Sequence, residues 1–390
     1  MLRSLYSGIS GLRSHQTMLD VTGNNIANVN TTAFKASAVQ FQDTLSQLFS
    51  GSGGAQDGVG GTNPAQVGLG VRVAGISTNF AQGSAQSTGR ASDLMISGDG
   101  FFVTRSGDQT QYTRAGTFDF DGAGNLVAPD GSIVQGWSAT DGVINESGPL
   151  SNIVLPRGVI APAVTTTSAT FTGNLPQEAA VGTALVRDVP AYDSTGTSRT
   201  VTLTFTRTAT GWDVAGADPA GPTGTTALAF TDGALTTGGT LTVGGIAVDL
   251  SKLTGYSDLT TVAVSDQNGR AAGTLQSYAL SADGTLVGSF SNGTSQALGR
   301  VVLATFPNPG GLEKAGSSSY VATFNSGDVQ IGAPGSGSLG KLTSGSLEMS
   351  NVDLSQEFTN LIVAQRGFQA NARIITTSDE MLEELTNLKR

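Results

Sequence analysis

The stretch LRSLYSGISGLRSHQTMLDVTGNNI, residues 2–26, carries apolar side chains at alternating spacings of three and four. These side chains are Leu2, Leu5, Ile9, Leu12, Leu19 and Ile26. The heptad spacing predicts an α-helix with a narrow apolar seam, interrupted at Gln16 and Gly23, that packs against another helix. The opposite face contains serines together with Gly8 and Gly11. A mid-helix glycine costs about 1 kcal/mol relative to alanine, but it lets another backbone approach closely.

A second seam of the same kind lies at the C-terminal end of the chain. Its members are Leu354, Phe358, Leu361, Phe368, Ile375, Leu382 and Leu385. Ser350 and Asp353 are predicted as the N-cap of this helix and its reciprocal partner. We therefore predict two terminal helical segments, 1–35 and 345–390, whose seams form a self-assembly interface. The alternative is a helical hairpin within one chain, but a seam of two positions in seven suits helix–helix assembly better.

The middle of the chain has the composition and the patterning of β-structure. The 390 residues include 54 glycines, and only 13% of them are charged. Apolar residues alternate with threonines over 201–206, which predicts a half-buried strand. Residues 118–127 and 278–286 each place an Asp-Gly pair between apolar residues, which predicts β-hairpins. The fold class predicted from these patterns is mainly β with terminal α-helices.

Several kinds of chemistry lack the residues that they would require. The net charge is -10, so a nucleic-acid surface is not expected, and without cysteine no disulfide or thiolate metal site forms. The single histidine, His15, lies beside the seam with no nucleophile pattern around it, and we interpret it as a surface or interface residue. Residues 119–125 superficially suggest a calcium loop, but Ala123 occupies a ligand position and a hairpin turn is favoured. We predict no catalytic, cofactor-binding or metal-binding residue, and no enzyme.

The N-terminus lacks the apolar core and the cleavage site of a secretory signal. No stretch of the chain approaches 18 apolar residues, so we expect no membrane-spanning segment. If the protein leaves the cell, it does so without an ordinary cleaved signal peptide.

Five stretches of the chain resemble one family or one branch of it. Residues 4–35, SLYSGISGLRSHQTMLDVTGNNIANVNTTAFK, resemble the N-terminal signature of flagellar rod and hook proteins. Residues 350–390 are similar to the C-terminal signature of that family, and 96–137 to the β domain that its members share. Residues 156–275 resemble the extra β domain of the hook branch, and 275–316 its return strands. The chain is therefore identified as a member of the flagellar rod and hook family, hook branch.

This resemblance implies a layered subunit. The terminal segments 1–35 and 345–390 would form an inner coiled-coil-like helix pair, followed by a Gly-rich connecting segment at 36–70. The shared β domain would comprise 71–155 and 276–344 and form the middle layer. Residues 156–275 would be the inserted outer domain.

The resemblance also implies a role and partners. Copies of the chain would assemble into a helical tube outside the cell, which acts as a flexible universal joint between rod and filament. Its partners would be other copies of itself, the rod and hook–filament junction proteins, the hook cap and the flagellar export apparatus.

Two other functions compete with this interpretation. A distal rod subunit would form a straight, rigid polymer, and the insertion at 156–275 argues against it. A secreted adhesin or binding module would need an exposed aromatic or polar pocket, and the sequence shows no cluster of that kind.

Overall fold

Two long α-helices lie at the ends of the chain, Leu2–Ala27 and Leu354–Asn387. A computed structural model describes residues 2–54, 57–58, 60–140, 142–155, 158 and 160–387. The second helix begins after Asp353, whose Oδ1 accepts hydrogen bonds from the backbone N–H groups of the next turn at 2.8 and 3.2 Å. Asp353 is therefore the N-cap. The prediction of Ser350 as the cap is wrong, because its hydroxyl accepts from the N–H of Val352, outside the helix.

The chain folds into two compact units. The first contains residues 1–155, 279–287 and 297–390, and the second contains 156–278 and 288–296. Three strands have residues in both sets, Gly273–Leu280, Thr285–Phe290 and Ser295–Val301. The fold is mainly β with terminal helices, so the predicted fold class is confirmed.

The other strands of the first unit are short. They are Ser37–Asp43, Ser46–Ser50, Ala65–Gly68, Val71–Thr78, Ala85–Ser87, Leu94–Ser97, Phe101–Ser106, Gln109–Thr113, Asp119–Phe120, Leu126–Val127, Ile133–Thr140, Val143–Ile144, Ser151–Asn152, Leu303–Thr305, Glu313–Gly316, Ser319–Val321, Gln330–Gly332, Lys341–Ser344 and Ser346–Glu348. Strand Phe101–Ser106 lies at the centre and pairs with three of the others. Its inward side chains contact a cluster of aromatic rings that includes Tyr112, Phe306 and Tyr320.

The region predicted as a connecting segment, 36–70, contains ordered strands. Strand Ser37–Asp43 pairs with Val71–Thr78, and the N-terminal helix contacts this pair through Ser10, whose Oγ accepts from the N–H of Val71 at 3.2 Å. A second hairpin, Ser46–Ser50 with Ala65–Gly68, has every side chain exposed.

The second unit has its own core. The other strands in it are Ile160–Ala161, Ser168–Asn174, Ala184–Tyr192, Ser198–Arg207, Trp212–Ala217, Gly224–Thr231, Ala234–Thr237, Thr240–Val243, Ile246–Thr254 and Ala263–Gln267. Val201, Leu203 and Phe205 are buried while the threonines between them are partly exposed, so the predicted half-buried strand is confirmed. These side chains pack with Phe171 and Trp212 in one apolar cluster.

Candidate assembly interface

The two terminal helices pack against each other in antiparallel orientation. The Nδ2 of Asn25 donates to Glu357 Oε1 at 3.1 Å, near the end of the first helix and the start of the second. Towards the other end, His15 lies against Gly367, and Gly11 lies against Asn371. A β-carbon added at Gly367 would lie 2.5 Å from the His15 ring. The close approach of the two backbones therefore depends on glycine.

The buried face of the N-terminal helix is made of small and polar residues. Its fully buried members are Gly8, Gly11, Ser14, Thr22 and Asn25. The sequence placed Gly8, Gly11 and Ser14 on the face opposite the apolar seam, and this is the face that the C-terminal helix covers. Glu357 and Ala364 are the buried residues of the covering helix.

The predicted seam of the N-terminal helix flanks this buried face. Leu5, Ile9, Leu12, Leu19 and Ile26 are each partly buried, and none is fully enclosed. The side chain of Leu2 lies outside the described side chains. These apolar groups retain surface that a further element could cover.

The residues of the predicted seam of the C-terminal helix differ in burial. Leu361, Phe368, Ile375 and Leu382 are partly buried. Leu354, Phe358 and Leu385 are exposed, at 40%, 51% and 51% of their surface. The sequence analysis missed four further exposed apolar residues of this helix, Ile362, Val363, Ile374 and Met381, because they fall outside the heptad positions. The helix therefore presents apolar side chains to solvent along much of its length.

A buried ion pair links the segment after the first helix to the strand before the second. Lys35 Nζ lies 2.5 Å from Glu348 Oε1, and both side chains are fully buried. The same carboxylate oxygen accepts from the N–H of Gly83 at 2.8 Å, while the lysine also donates to the carbonyl of Ala81 at 2.8 Å. Arg114 lies 3.5 Å from that oxygen. Four segments distant in sequence thus meet at one carboxylate.

The electrostatics of this cluster are dominated by burial. Desolvation lowers the pKa of Lys35 below its ordinary value, and the hydrogen bond that Lys35 donates to Glu348 opposes that shift in part. Arg114 is additionally held by the carbonyls of Gly98 and Gly100, at 2.9 and 3.0 Å. Each charge has a partner, which a charge requires when it is removed from water. No spacing rule could have found this pair, because its members are 313 positions apart.

The groups considered for catalysis or metal binding are engaged within the fold. Asp121 accepts from the side-chain amide of Asn125 and from backbone N–H groups of its own turn, which lowers the pKa of this carboxyl. The predicted hairpin is present, with Phe120 opposite Leu126. The imidazole of His15, on the N-terminal helix, lies against Gly367 of the C-terminal helix. Its ring centroid is 5.8 Å from that of Phe41. Within the described ranges, no three His, Asp or Glu side chains converge on a possible metal site.

Neither helix, over the part of the chain that the structure describes, is long and apolar enough to cross a membrane.

Models of three flagellar protein families match the chain. The model for flagella basal body rod proteins matches residues 5–35. The model for the D1 domain of flagellar hook proteins FlgE/F/G matches 95–173. The model for the C-terminal region of FlgEFG basal body rod proteins matches 343–388. These matches define the class as the axial proteins of the bacterial flagellum.

Individual relatives are similar over the full chain. The flagellar hook protein FlgE of Borreliella burgdorferi is 40% identical, with 100% of both chains covered. The FlgE of Salmonella typhimurium is 36% identical, over 99% of this chain and 100% of the relative. The flagellar basal-body rod protein FlgG of Bacillus subtilis is also 36% identical, over 100% of both chains. The chain belongs to the flagellar hook protein FlgE family.

A solved structure supports the fold independently. The crystal structure of Helicobacter pylori flagellar hook protein FlgE2 matches with a TM-score of 0.51, over 68% of this chain and 100% of that one. Sequence identity in this match is 14%, so it bears on the fold alone.

Proposed function

We propose that this chain is a structural subunit of the flagellar hook, where copies assemble into a flexible tube that transmits torque from rod to filament. The observation that carries the proposal is similarity to hook proteins over the full length of both chains. The subunit would act mechanically, and we assign it no catalytic residue and no cofactor.

The exposed apolar residues of the terminal helices are the proposed contacts between copies. Fully burying a leucine or phenylalanine side chain stabilises by about 1.5–3 kcal/mol relative to leaving it in water. Leu354, Phe358 and Leu385 are at least two-fifths exposed, so covering them by a neighbouring copy is favourable. The partly buried seam of the N-terminal helix would add to the same interface.

The layered arrangement is also a proposal. Segments 1–35 and 345–390 would form the inner tube, 36–70 the connection, and 71–155 with 276–344 the middle layer, leaving 156–275 outermost. Surfaces rich in Thr, Ser and Gly have few desolvated charges to separate, so they can slide while the tube bends. Rod and junction proteins, the hook cap and the export apparatus remain proposed partners, and the proposed location is outside the cell.

A distal rod subunit is the second candidate, because the relative from Bacillus subtilis named as a rod protein matches the full chain at 36% identity. Electron microscopy of the purified protein under polymerising conditions separates the two candidates. A hook subunit gives tubes that can curve, whereas a rod subunit gives straight tubes. If no polymer forms under any such condition, both proposals are wrong.

A matched pair of variants tests the interface. Phe358→Asp places a charge on the exposed apolar stripe and should abolish polymerisation without altering the fold, because the side chain is already half exposed. Ala370→Asp adds the same charge at an exposed position of that helix outside the predicted seam and should polymerise normally. Circular dichroism verifies the fold of each variant. Normal tubes from Phe358→Asp would show that the stripe is not an interface.

A further inference from the structure

The only histidine of the chain lies where the two terminal helices are in close contact. A β-carbon added at Gly367 of the C-terminal helix would lie 2.5 Å from Cε1 and Nε2 of His15 and 2.8 Å from its Nδ1. These three atoms form one edge of the imidazole ring. The edge that carries both nitrogens therefore faces the backbone of the C-terminal helix.

The surroundings of this ring edge suit a neutral imidazole. Nδ1 of His15 is buried and has no hydrogen-bond partner among the described residues. The carbonyl of Gly367 is already engaged, because it accepts from Asn371 Nδ2 at 2.8 Å as well as from the helix backbone. An imidazolium has an N–H on both nitrogens, so protonation would turn Nδ1 into a buried donor without an acceptor. It would also place a charge in the helix contact, and both changes oppose that contact.

The groups around the ring offer little compensation for such a charge. Within the described chain no ion pair includes His15, and the charged residues nearest in sequence on each surrounding element are exposed to solvent. They are Arg13 and Asp20 on the N-terminal helix, Arg366 and Arg373 on the C-terminal helix, and Asp43 and Arg72 on the strand pair that contains Phe41. The Phe41 ring, whose centroid is 5.8 Å from that of His15, is 41% exposed, and an exposed ring attracts a cation only weakly. An imidazolium at His15 therefore gains no strong partner while the helices are paired.

We propose that His15 is a pH-sensitive switch in the helix pair, which permits the close contact when it is neutral and opens the contact when it is protonated. Imidazole is the side chain that ordinarily changes charge between about pH 5 and 8. With one histidine and no cysteine, the chain has no second side chain of this kind. The switch belongs to the single chain, so it goes beyond the proposed function and does not depend on it.

The direction and the size of the effect follow from proton uptake. Opening of the contact exposes the imidazole to water, where it binds a proton that the paired state excludes. The stability that the neutral form allows is therefore present at higher pH and is lost on acidification. Between about pH 7.5 and about pH 5.5, the equilibrium constant for opening should rise about tenfold, the factor for an imidazole that titrates only in the open state.

Thermal unfolding of the helices tests the switch in the full-length monomer, at concentrations at which no polymer forms. Far-ultraviolet circular dichroism should show the helices of the unaltered chain lost at a lower temperature at the lower pH. His15→Gln has no titrating ring and the same carboxylates, so its helix transition should differ much less between the two pH values. His15→Gln combined with Gln16→His moves the imidazole to the adjacent exposed position and should behave like His15→Gln alone. An equal pH effect in the unaltered chain and in His15→Gln, or its return with Gln16→His, would overturn the inference.

Nuclear magnetic resonance of the unaltered chain keeps the test decisive if His15→Gln disturbs the helix contact by itself. Because the chain has one histidine, isotope-labelled histidine gives one imidazole signal, which follows protonation at His15 directly. Protonation and loss of helicity should occur over the same pH interval at a fixed temperature. An imidazole that becomes protonated while the helices stay paired would overturn the switch. Both measurements use the monomer, so their outcome is independent of whether the chain forms the tubes expected of the proposed function.

Discussion

Replacing Glu348 by glutamine should destabilise the first unit strongly, although it changes the shape of the side chain very little. The carboxylate is fully buried, 2.5 Å from the Lys35 ammonium and 3.5 Å from Arg114. Glutamine removes the negative charge that these two cations share and leaves the buried Lys35 ammonium without its carboxylate partner, whereas Arg114 keeps Asp99 at 3.9 Å. Breaking one member of a buried ion pair in this way costs about 3–5 kcal/mol.

The loss should be visible in thermal unfolding. In domains of 150–250 residues, 1 kcal/mol shifts Tm by about 2–4 °C, so Glu348→Gln should lower the Tm of the first unit by roughly 6–20 °C. Each unit has one of the two tryptophans, both of them buried: Trp137 in the first and Trp212 in the second. Fluorescence in a Trp212→Phe background therefore follows the first unit alone.

Two comparisons make the test specific. Asp119→Asn removes one partner of an exposed ion pair, Arg90–Asp119, and should cost less than about 1 kcal/mol. Lys35→Met combined with Glu348→Gln should cost less than the sum of the single changes, because the two side chains are in contact. If Glu348→Gln costs no more than Asp119→Asn, the buried pair does not stabilise this unit and the reasoning fails.

Two further predictions concern the first unit. Burial raises the pKa of Tyr320 to about 12, against about 10 for an unperturbed tyrosine. The phenol therefore keeps its proton to higher pH in the folded state than in the unfolded state. Its contribution to stability, about 3 kcal/mol, is present below pH 10 and is lost between pH 10 and 12. Tyr320→Phe should remove this part of the pH dependence in urea unfolding, and an identical profile would contradict the assignment. In the helix pair, Gly367→Ala should destabilise the contact between the helices, because the added β-carbon would meet the His15 ring. Gly23→Ala is the control: its β-carbon meets nothing within 4 Å, so this change should stabilise its helix by about 0.5–1 kcal/mol. His15→Ala should relieve the destabilisation caused by Gly367→Ala, measured as the loss of helicity with temperature. Equal effects of Gly367→Ala and Gly23→Ala would refute the close contact between Gly367 and His15.

The sequence predicted the elements of this fold better than their contacts. Heptad spacing identified both helices, and alternation with threonine identified strand Ser198–Arg207, because each pattern records which side of one element is buried. The Asp-Gly pair of the turn at 118–127 likewise identified a hairpin, since its carboxylate and glycine satisfy local backbone requirements.

The contacts between distant segments were beyond such patterns. Heptad spacing showed that each helix has an apolar face. It did not show that the two helices of one chain would meet at Gly11 and Gly367, which lie against Asn371 and His15. The Lys35–Glu348 pair arises only when the segments after and before the two helices meet. Ile362 was missed because exposure depends on what covers a helix, and one helix has faces beyond its heptad seam.

The choice of faces in the helix pair is informative about assembly. A helix pair built for the stability of one chain would enclose its leucines and phenylalanines, because their burial stabilises by about 1.5–3 kcal/mol each and that of glycine by almost nothing. This pair encloses Gly8, Gly11 and Ser14 instead, and leaves Leu354 and Phe358 exposed. The close backbone contact fixes the orientation of the two helices, while the described seam residues keep at least part of their surface uncovered. Under the proposed function, the apolar surface that would have stabilised the isolated chain is the surface that neighbouring copies would cover, so stability of the helices and formation of the polymer would become one process.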